Sequence, residues 1–547
     1  MVAPGESISQ QVDVAGVPLG LRDAAARLAA RRLAASVAIA LDVSPATTML
    51  SRRPLPPRLH RERRRARRTI VHLAAEYQQF ARTGGLAEAV AGLATAQVRA
   101  GERVVVFVPL YQSVREAAVL VPIGASFPVV IGRHTEQVRF FREEARRPGP
   151  RVIFIEAPGC FDRPGIYGDA GREFPDNHLR FAFFSLAALH GISRLVRGPA
   201  LVHAHDWHAA LALVYMRTRA EFSARFASTP GVLSVHNAGY QAHLPREAMD
   251  TLALPWELWN AERLEWYGQL NLLKAGLNFC DAAVTVSPAH AVELRTVEGG
   301  FGLHGTFGAL GERLVGICNG IDERDWDPAT DRQIAANYTA GDLSGKAVCK
   351  AAAQRTFGLP CRADVPLIAM SSRLVAQKGF DLVVQSARLR TDEAQLVVLG
   401  QGEARYHDAV AALAAAHPDR IVCEFGFTDR LEHVLMAGAD LVLMPSLYEP
   451  CGLTQMHAQR YGAPVVGRRV GGIGDTVTDG DTGFLFDAYE VAALDAALDR
   501  ALVCFADPRA WREMTVRAME RAFGWDRSMM DYADVYRGAE RAVPASG

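Results

Sequence analysis

From Thr69 onward, short apolar runs rich in β-branched residues alternate with longer runs of helical period. TIVHLAAEY gives way to GGLAEAVAGLATAQVRAG and then RVVVFVPL, and later come RVIFIEA, ALVHAHDW, VLSVHNAG and AAVTVSP. Strands separated by helix-length segments imply crossover connections and a parallel sheet. A second series opens near Val315 with VGICNGID and continues through PLIAMSSR, AQLVVLGQG, RIVCEFGF, LVLMPS and APVVGRRVGG. The pattern predicts an α/β chain of two doubly wound domains, residues 69–312 and 313–520. A terminal helix over 521–540 follows, in which Phe523, Trp525, Met529, Tyr532 and Tyr536 recur at helical spacing and give one apolar face that has to dock.

Composition narrows the function classes. A chain of 547 residues is too long for one core, so two or three domains are expected. Its 60 Lys+Arg balance 60 Asp+Glu, which gives no reason to expect nucleic acid or an anionic membrane as partner. The eight cysteines form no C-x-x-C pair, which predicts a reducing compartment and neither a disulfide scaffold nor a zinc site. No apolar window reaches the length of about eighteen residues that a spanning helix needs, so a soluble, cytoplasmic protein is expected. Residues 1–68 stand apart: Arg- and Ala-rich, they end in SRRPLPPRLHRERRRARR, a run that resists packing. Three readings stay open for them: a disordered extension, a targeting peptide (a plastid one included), or a start codon set too far upstream. None carries a catalytic role.

Several strand ends carry chemistry. In LMPSLYEPCGLTQ an apolar strand runs into Glu449, Cys451, Gly452, Leu453 and Thr454. Such a strand reads as buried on both faces, and ligands of open α/β sheets bind at the carboxyl ends of the strands. The segment is a site candidate or a loop turned by its Pro and Gly. RTGGLAEAV sets Arg82, Gly84 and Gly85 where a loop opens a helix, which suits a diphosphate or a plain structural turn. SSRLVAQKGFDLV supplies Arg373 and Lys378. Only four lysines occur in this Arg-rich chain, so Lys378 is either a placed ammonium or half of an exposed charge pair. LVHAHDWHAAL gathers His203, His205, Asp206, Trp207 and His208, but the spacing is not H-E-x-x-H and no carboxylate-rich partner accompanies it. A packed cluster or hydrogen bonding to a polar substrate is the better account, and His236 with Asn237 forms a similar pair. Asp479 and Asp481 in VTDGDTGFLF read as a tight turn.

The same chain carries, in order, T-G-G-L, H-A-H-D-W-H, H-N-x-x-Y-Q, K-A-G-L, N-G-I-D, S-R-L-x-x-Q-K-G and E-P-C-G-L-T-Q. From about Thr69 to Tyr536 it resembles the bacterial glycogen synthase and plant starch synthase family. The resemblance implies a GT-B fold: two Rossmann-like domains facing a central cleft, the first on the acceptor side, the second holding a nucleotide sugar, and the final helix crossing back to the first. It implies retaining transfer of glucose from ADP-glucose to the non-reducing end of an α-1,4-glucan, with no cofactor and no metal, and a nucleotide sugar and an α-glucan as partners.

On the matching positions, the resemblance puts Arg373 and Lys378 on the diphosphate and Glu449 beside the glucosyl ring. The N–H groups of Cys451, Gly452, Leu453 and Thr454 would hold sugar hydroxyls and phosphate oxygens. His205 would reach the glucose 6-hydroxyl, and Phe427, where the family commonly has Tyr, would stack on adenine. Arg82, Gly84, Gly85, His236 and Gln377 would line the substrate, with Asp176, Asn177 and Asn271 near the sugar or acceptor. Two positions depart: the usual Lys is Arg82, and the usual Asp is Glu88. They leave room for a divergent transferase with another sugar or acceptor, or for a catalytically silent glucan-binding paralogue. Glycogen phosphorylase shares the architecture but needs pyridoxal phosphate.

Overall fold

The β-branched runs build two separate sheets in the computed structural model, which describes residues 68–145, 148–169, 172–391 and 393–543. Residues 1–67, with the readings attached to them, lie outside the described residues. The first sheet has nine strands: β1 (Thr69–Leu73), β2 (Arg103–Pro109), β3 (Leu120–Ile131), β4 (His134–Glu143), β5 (Arg151–Glu156), β6 (Ala200–His205), β7 (Gly231–Val235), β8 (Ala282–Thr285) and β9 (Leu314–Gly316). They lie in the order β9-β8-β7-β6-β1-β2-β5-β4-β3. All pairs are parallel except those of β4 with β3 and β5. The second sheet has six parallel strands: β10 (Leu367–Ser371), β11 (Gln395–Leu399), β12 (Ile421–Glu424), β13 (Leu441–Met444), β14 (Val465–Arg468) and β15 (Gly483–Phe486), in the order β12-β11-β10-β13-β14-β15.

Setting aside the β3–β4 hairpin, both sheets are wound alike. Each begins in its middle, builds outward to one edge, then returns to build toward the other. The winding reverses between β1 and β6 in the first sheet and between β10 and β13 in the second. Loops leaving neighbouring strands diverge at such a reversal, which opens a crevice at the carboxyl ends. The fold therefore nominates four loops, those after β1, β6, β10 and β13, before any side chain is considered.

Two details differ from the expectation. The run at Val315 was expected to open the second series, yet Leu314 pairs with Ala283 and Val315 with Val284, so β9 closes the first sheet. An apolar run predicts a strand but not its neighbour. The β3–β4 hairpin adds an antiparallel edge that the strand series did not contain. Its alternation is visible in hindsight, with Val129, Ile131, Val138 and Phe140 buried between more exposed positions.

Five helices position the site: α1 (Gly85–Arg99), α2 (Leu272–Phe279), α3 (Asp429–Gly438), α4 (Thr454–Arg460) and α5 (Asp526–Ala542). The amphipathic end of the chain docks on the first sheet. Trp525, Tyr532, Val535, Tyr536 and Ala539 pack with Ile70, Leu201, Val232 and Val284 of the first sheet, so the chain returns to the first domain after completing the second. No described helix is long and apolar enough to cross a membrane.

Candidate active site

At the reversal of the second sheet the loop after β10 meets the loop after β13. Gly379 makes the meeting possible. Its φ is 76°, and a Cβ there would stand 2.0 Å from the Pro445 carbonyl oxygen. That close approach brings Lys378 Nζ to 2.6 Å from Glu449 Oε2, and Ser446 Oγ donates to the same oxygen at 3.0 Å. Glu449 is only 5% exposed, so the carboxylate is held by partners and not by water. Behind it, a Cβ on Gly471 would stand 2.0 Å from the Glu449 carbonyl oxygen, and Gly472 N donates to that oxygen at 3.1 Å. Arg373 is exposed at the end of β10, and its charge reaches the Tyr448 hydroxyl: burial pushes that phenol up to about 12 while Arg373 pulls the other way. After Pro450 the backbone N–H groups of Gly452, Leu453 and Thr454 find no backbone acceptor among the described residues.

The other three lysines brace the interior. Lys274 Nζ donates to the Ala261 and Glu265 carbonyls, Lys346 to those of Ala439 and Tyr461, and Lys350 to that of Val365 beside Asp440. Each lysine thus has a fixed position, and Lys378 alone of the four faces Glu449.

The first domain contributes a row of neutral rings. His72 of β1 lies beside His203 of β6 in register, and His205 projects from the same face two residues on. His72 Nε2 donates to Gln97 Oε1 (2.7 Å), which leaves His72 Nδ1 to accept from His205 Nε2 (2.9 Å). His205 Nδ1 then accepts from His236 Nε2 (2.9 Å), so the half-buried His236 carries an unprotonated Nδ1 at the end of the row. On the other side Gln97 Nε2 donates to the Tyr536 hydroxyl, which donates to His203 Nδ1 (2.9 Å), and His203 Nε2 reaches Ser234 Oγ (2.7 Å). Burial holds His72 down to about 4 and His236 to about 3, and pushes His203 and His205 well below the usual imidazole range. One ring nitrogen from each of His72, His203 and His205 lies within 4.8 Å of the other two, a spacing that would suit a metal, and the three rings have six nitrogens between them. All six are already engaged by hydrogen bonds within the chain.

Asp206 anchors this row. It adopts a left-handed φ of 54°, accepts from the His236 amide at 2.7 Å, and is raised to about 7 by burial.

Contacts from both domains close the gap between these halves. Arg82 Nη1 pairs with Asp429 Oδ1 of α3 at 3.0 Å, and its guanidinium carbon stands 5.9 Å from the centre of the Phe427 ring, which is 38% exposed. His457 of α4 meets Glu88 of α1 at 3.2 Å. Burial works to raise the Glu88 carboxyl, and His457, Arg82 and His433 together outweigh it and hold the group below its usual range. Trp326 lies between His433 and His457, its ring centroid 4.1 and 3.6 Å from theirs, at 9° and 10°. A Cβ on Gly85 would be 3.8 Å from Leu453, so the Gly-Gly loop of one domain faces the E-P-C-G-L-T loop of the other.

The structure brings together Glu449, Lys378, Arg373, Gly452, Leu453, Thr454, Gly85, Arg82, Phe427 and His236. Other expected residues are turned elsewhere. His205 is 1% exposed and both its nitrogens serve His72 and His236, so His236 is the ring that faces outward. Asn271 caps α2, accepting from Lys274 N and donating to Gln241. Asn177 donates to the Tyr167 carbonyl and accepts from Arg180, and Asp176 is held in two bonds by Arg163. Gln377 braces the Leu447–Tyr448 segment through its carbonyl and its amide. The Cys451 thiol is buried against the Asn319 backbone, leaving only its main chain for a ligand. Gly84 N is given to Glu76, a 3%-exposed carboxylate that also accepts from Thr83 N, Thr83 Oγ1 and Tyr167 OH. Asp479 pairs with Arg500 and Asp481 with Arg517, as a turn would have them.

Glu76, Gln97, Ser446 and Gly471 were not anticipated. Glu76 carried a signal, an acid eight residues before a Gly-Gly turn that closes on it. The others are legible only once the loops are apposed.

Two like-wound sheets with an ion pair at the reversal point and bare amides beside it define a GT-B glycosyltransferase. The sequence matches the starch synthase catalytic domain over residues 69–309 and the glycosyl transferases group 1 over residues 357–515. A glycogen synthase of Anaeromyxobacter dehalogenans is 42% identical over 476 residues, 86% of this chain and 99% of that protein. One from Myxococcus xanthus is 39% identical over 484 residues, 85% of this chain and 98% of that protein. The catalytic domain of starch synthase IV from Arabidopsis thaliana, solved with ADP and acarbose, superposes with a TM-score of 0.80 at 29% identity, covering 86% of this chain and 99% of that one. The sucrose-phosphate synthase of Thermosynechococcus elongatus shares the fold, with a TM-score of 0.56 at 18% identity over 87% of this chain and all of that one. The chain belongs to the glycogen and starch synthase family.

Proposed function

We propose that the chain elongates an α-1,4-glucan, transferring glucose from ADP-glucose to a non-reducing end with retention of configuration. The observation that carries this reading is the Lys378–Glu449 pair at the reversal point of the second sheet. In the resting protein Glu449 neutralises the ammonium and fixes its direction. With donor in the cleft, Lys378 and Arg373 stabilise the charge that builds on the departing diphosphate as the bond from C1 to phosphate oxygen breaks. The acceptor 4-hydroxyl enters on the same face, its oxygen bonds to C1, and its proton passes to the leaving phosphate. Glu449 stays beside the ring as the positive character of C1 develops.

The amides of Gly452, Leu453 and Thr454 suit phosphate or sugar oxygens, and Phe427 offers a face for adenine under Arg82. His236 Nδ1, unprotonated by the order of the histidine row, accepts from a sugar hydroxyl, and His205 acts through it. The two cationic side chains supply the positive charge a divalent ion would otherwise bring, so the reading requires no metal or cofactor. The eight unpaired cysteines suit a reducing, cytoplasmic setting.

Release of nucleotide from ADP-glucose and from UDP-glucose in the presence of glycogen tests the reading. ADP-glucose is expected to be the faster donor, with the glucan lengthened by α-1,4 bonds. Lack of release from both donors would overturn it.

A further inference from the structure

A row of aromatic side chains leads away from the catalytic carboxylate across the first domain. It starts at Tyr448, the residue before Glu449, whose ring is 4.9 Å from that of Phe301. The next residue, Gly302, lies flat on Trp266: its carbonyl accepts from Trp266 Nε1 at 3.0 Å, and a Cβ there would stand 2.6 Å from Trp266 Cζ2. Trp266 is 4.9 Å from Tyr267 and 4.3 Å from His243. The row ends in solvent, with Tyr267 80% exposed.

The backbone is bent to present these rings. Among the described residues six non-glycine positions have a left-handed φ, and three belong to this row: Phe301 at 49°, Tyr267 at 47°, and Ala242 at 55°, next to His243. Tyr267 and Gly268 form the two-residue turn between the short strands Glu265–Trp266 and Gln269–Asn271, where Asn or Gly is the unstrained choice for the first position. A tyrosine that is strained, exposed and packed on a tryptophan has no folding role that a smaller residue would not fill better. Strain of this kind gathers at ligand-holding sites.

We propose that this row is a track for the α-glucan chain, carrying glucosyl units beyond those in the cleft. The inference rests on the glucan-elongating reading above. The row begins at the catalytic loop, so whatever lies on it is continuous with the substrate in the cleft. Tyrosine, tryptophan and histidine present flat apolar faces with polar edges, which match the C–H faces and rim hydroxyls of a pyranose. A neutral polymer needs no charged partner, and none of these rings carries a fixed charge.

The test is Tyr267→Asn in the full chain, a substitution that suits the left-handed turn and leaves the melting temperature no lower, with His243→Ala beside it. Retention by glycogen in a native gel without donor is expected to weaken about five- to tenfold in Tyr267→Asn. The KM for glycogen should rise by a like factor, while the KM for maltotriose, too short to reach Tyr267, stays within about twofold. Unchanged retention, or an equal rise in both KM values, would overturn the track. Retention is read without turnover, so it stands even where the donor assay fails.

Discussion

The two walls of the cleft solve opposite problems. The first-domain wall is a row of imidazoles, an amide and a phenol, buried except at the half-buried His236, neutral, and joined by hydrogen bonds from His236 through Tyr536 to Ser234. The second-domain wall is charged: an ammonium held 2.6 Å from a buried carboxylate, an exposed guanidinium, and amides without a backbone acceptor among the described residues. Neutral donors and acceptors suit hydroxyls, which keep their charge through the reaction. Fixed cations suit a diphosphate, whose charge grows as it leaves. On the function proposed above, the difference places the sugar on one wall and the leaving group on the other.

The comparison breaks most visibly at Glu449. Glu449→Gln keeps the shape but removes the charge that orients Lys378, and kcat should fall by about 10² or more with circular dichroism unchanged. A variant within a few-fold of the parent would mean that the charged wall is only structural.

The walls should also part company in acid. The four row histidines bind protons less readily folded than unfolded, so their stabilisation is fully present above 6.5 and is lost as pH falls toward about 4 and 3. Hydrogen exchange between pH 6.5 and 4 should show the amides of β1 and β6 losing protection before those of β10 and β13. Simultaneous loss would contradict the division. The smallest effect is expected from Tyr536→Phe, which strips one hydroxyl from the row and leaves Gln97 and His203 each short of a partner. Urea unfolding should register a loss of about 1–3 kcal/mol, with kcat changed little.

Much of the fold was legible because parallel strands buried on both faces announce themselves as apolar runs. Every run singled out became a strand, and Lys378 stood out from its rarity in an Arg-rich chain. What composition and period do not carry is partnership. The run at Val315 gave no hint that β8 was its neighbour. H-A-H-D-W-H advertised His205 as a ligand for sugar, yet His72, 133 residues away, takes one of its nitrogens. Asn271 illustrates a missed local signal, since an Asn before a helical run is a favoured cap. Ser446 and Gly471 matter only because loops distant in the chain meet at the reversal point.

Single-turnover transfer of glucose from ADP-glucose to glycogen by Lys378→Ala tests the charged wall most directly. The account predicts a rate lower by about 10² to 10³ with donor affinity only modestly weakened. A rate within about threefold of the parent protein's would contradict it.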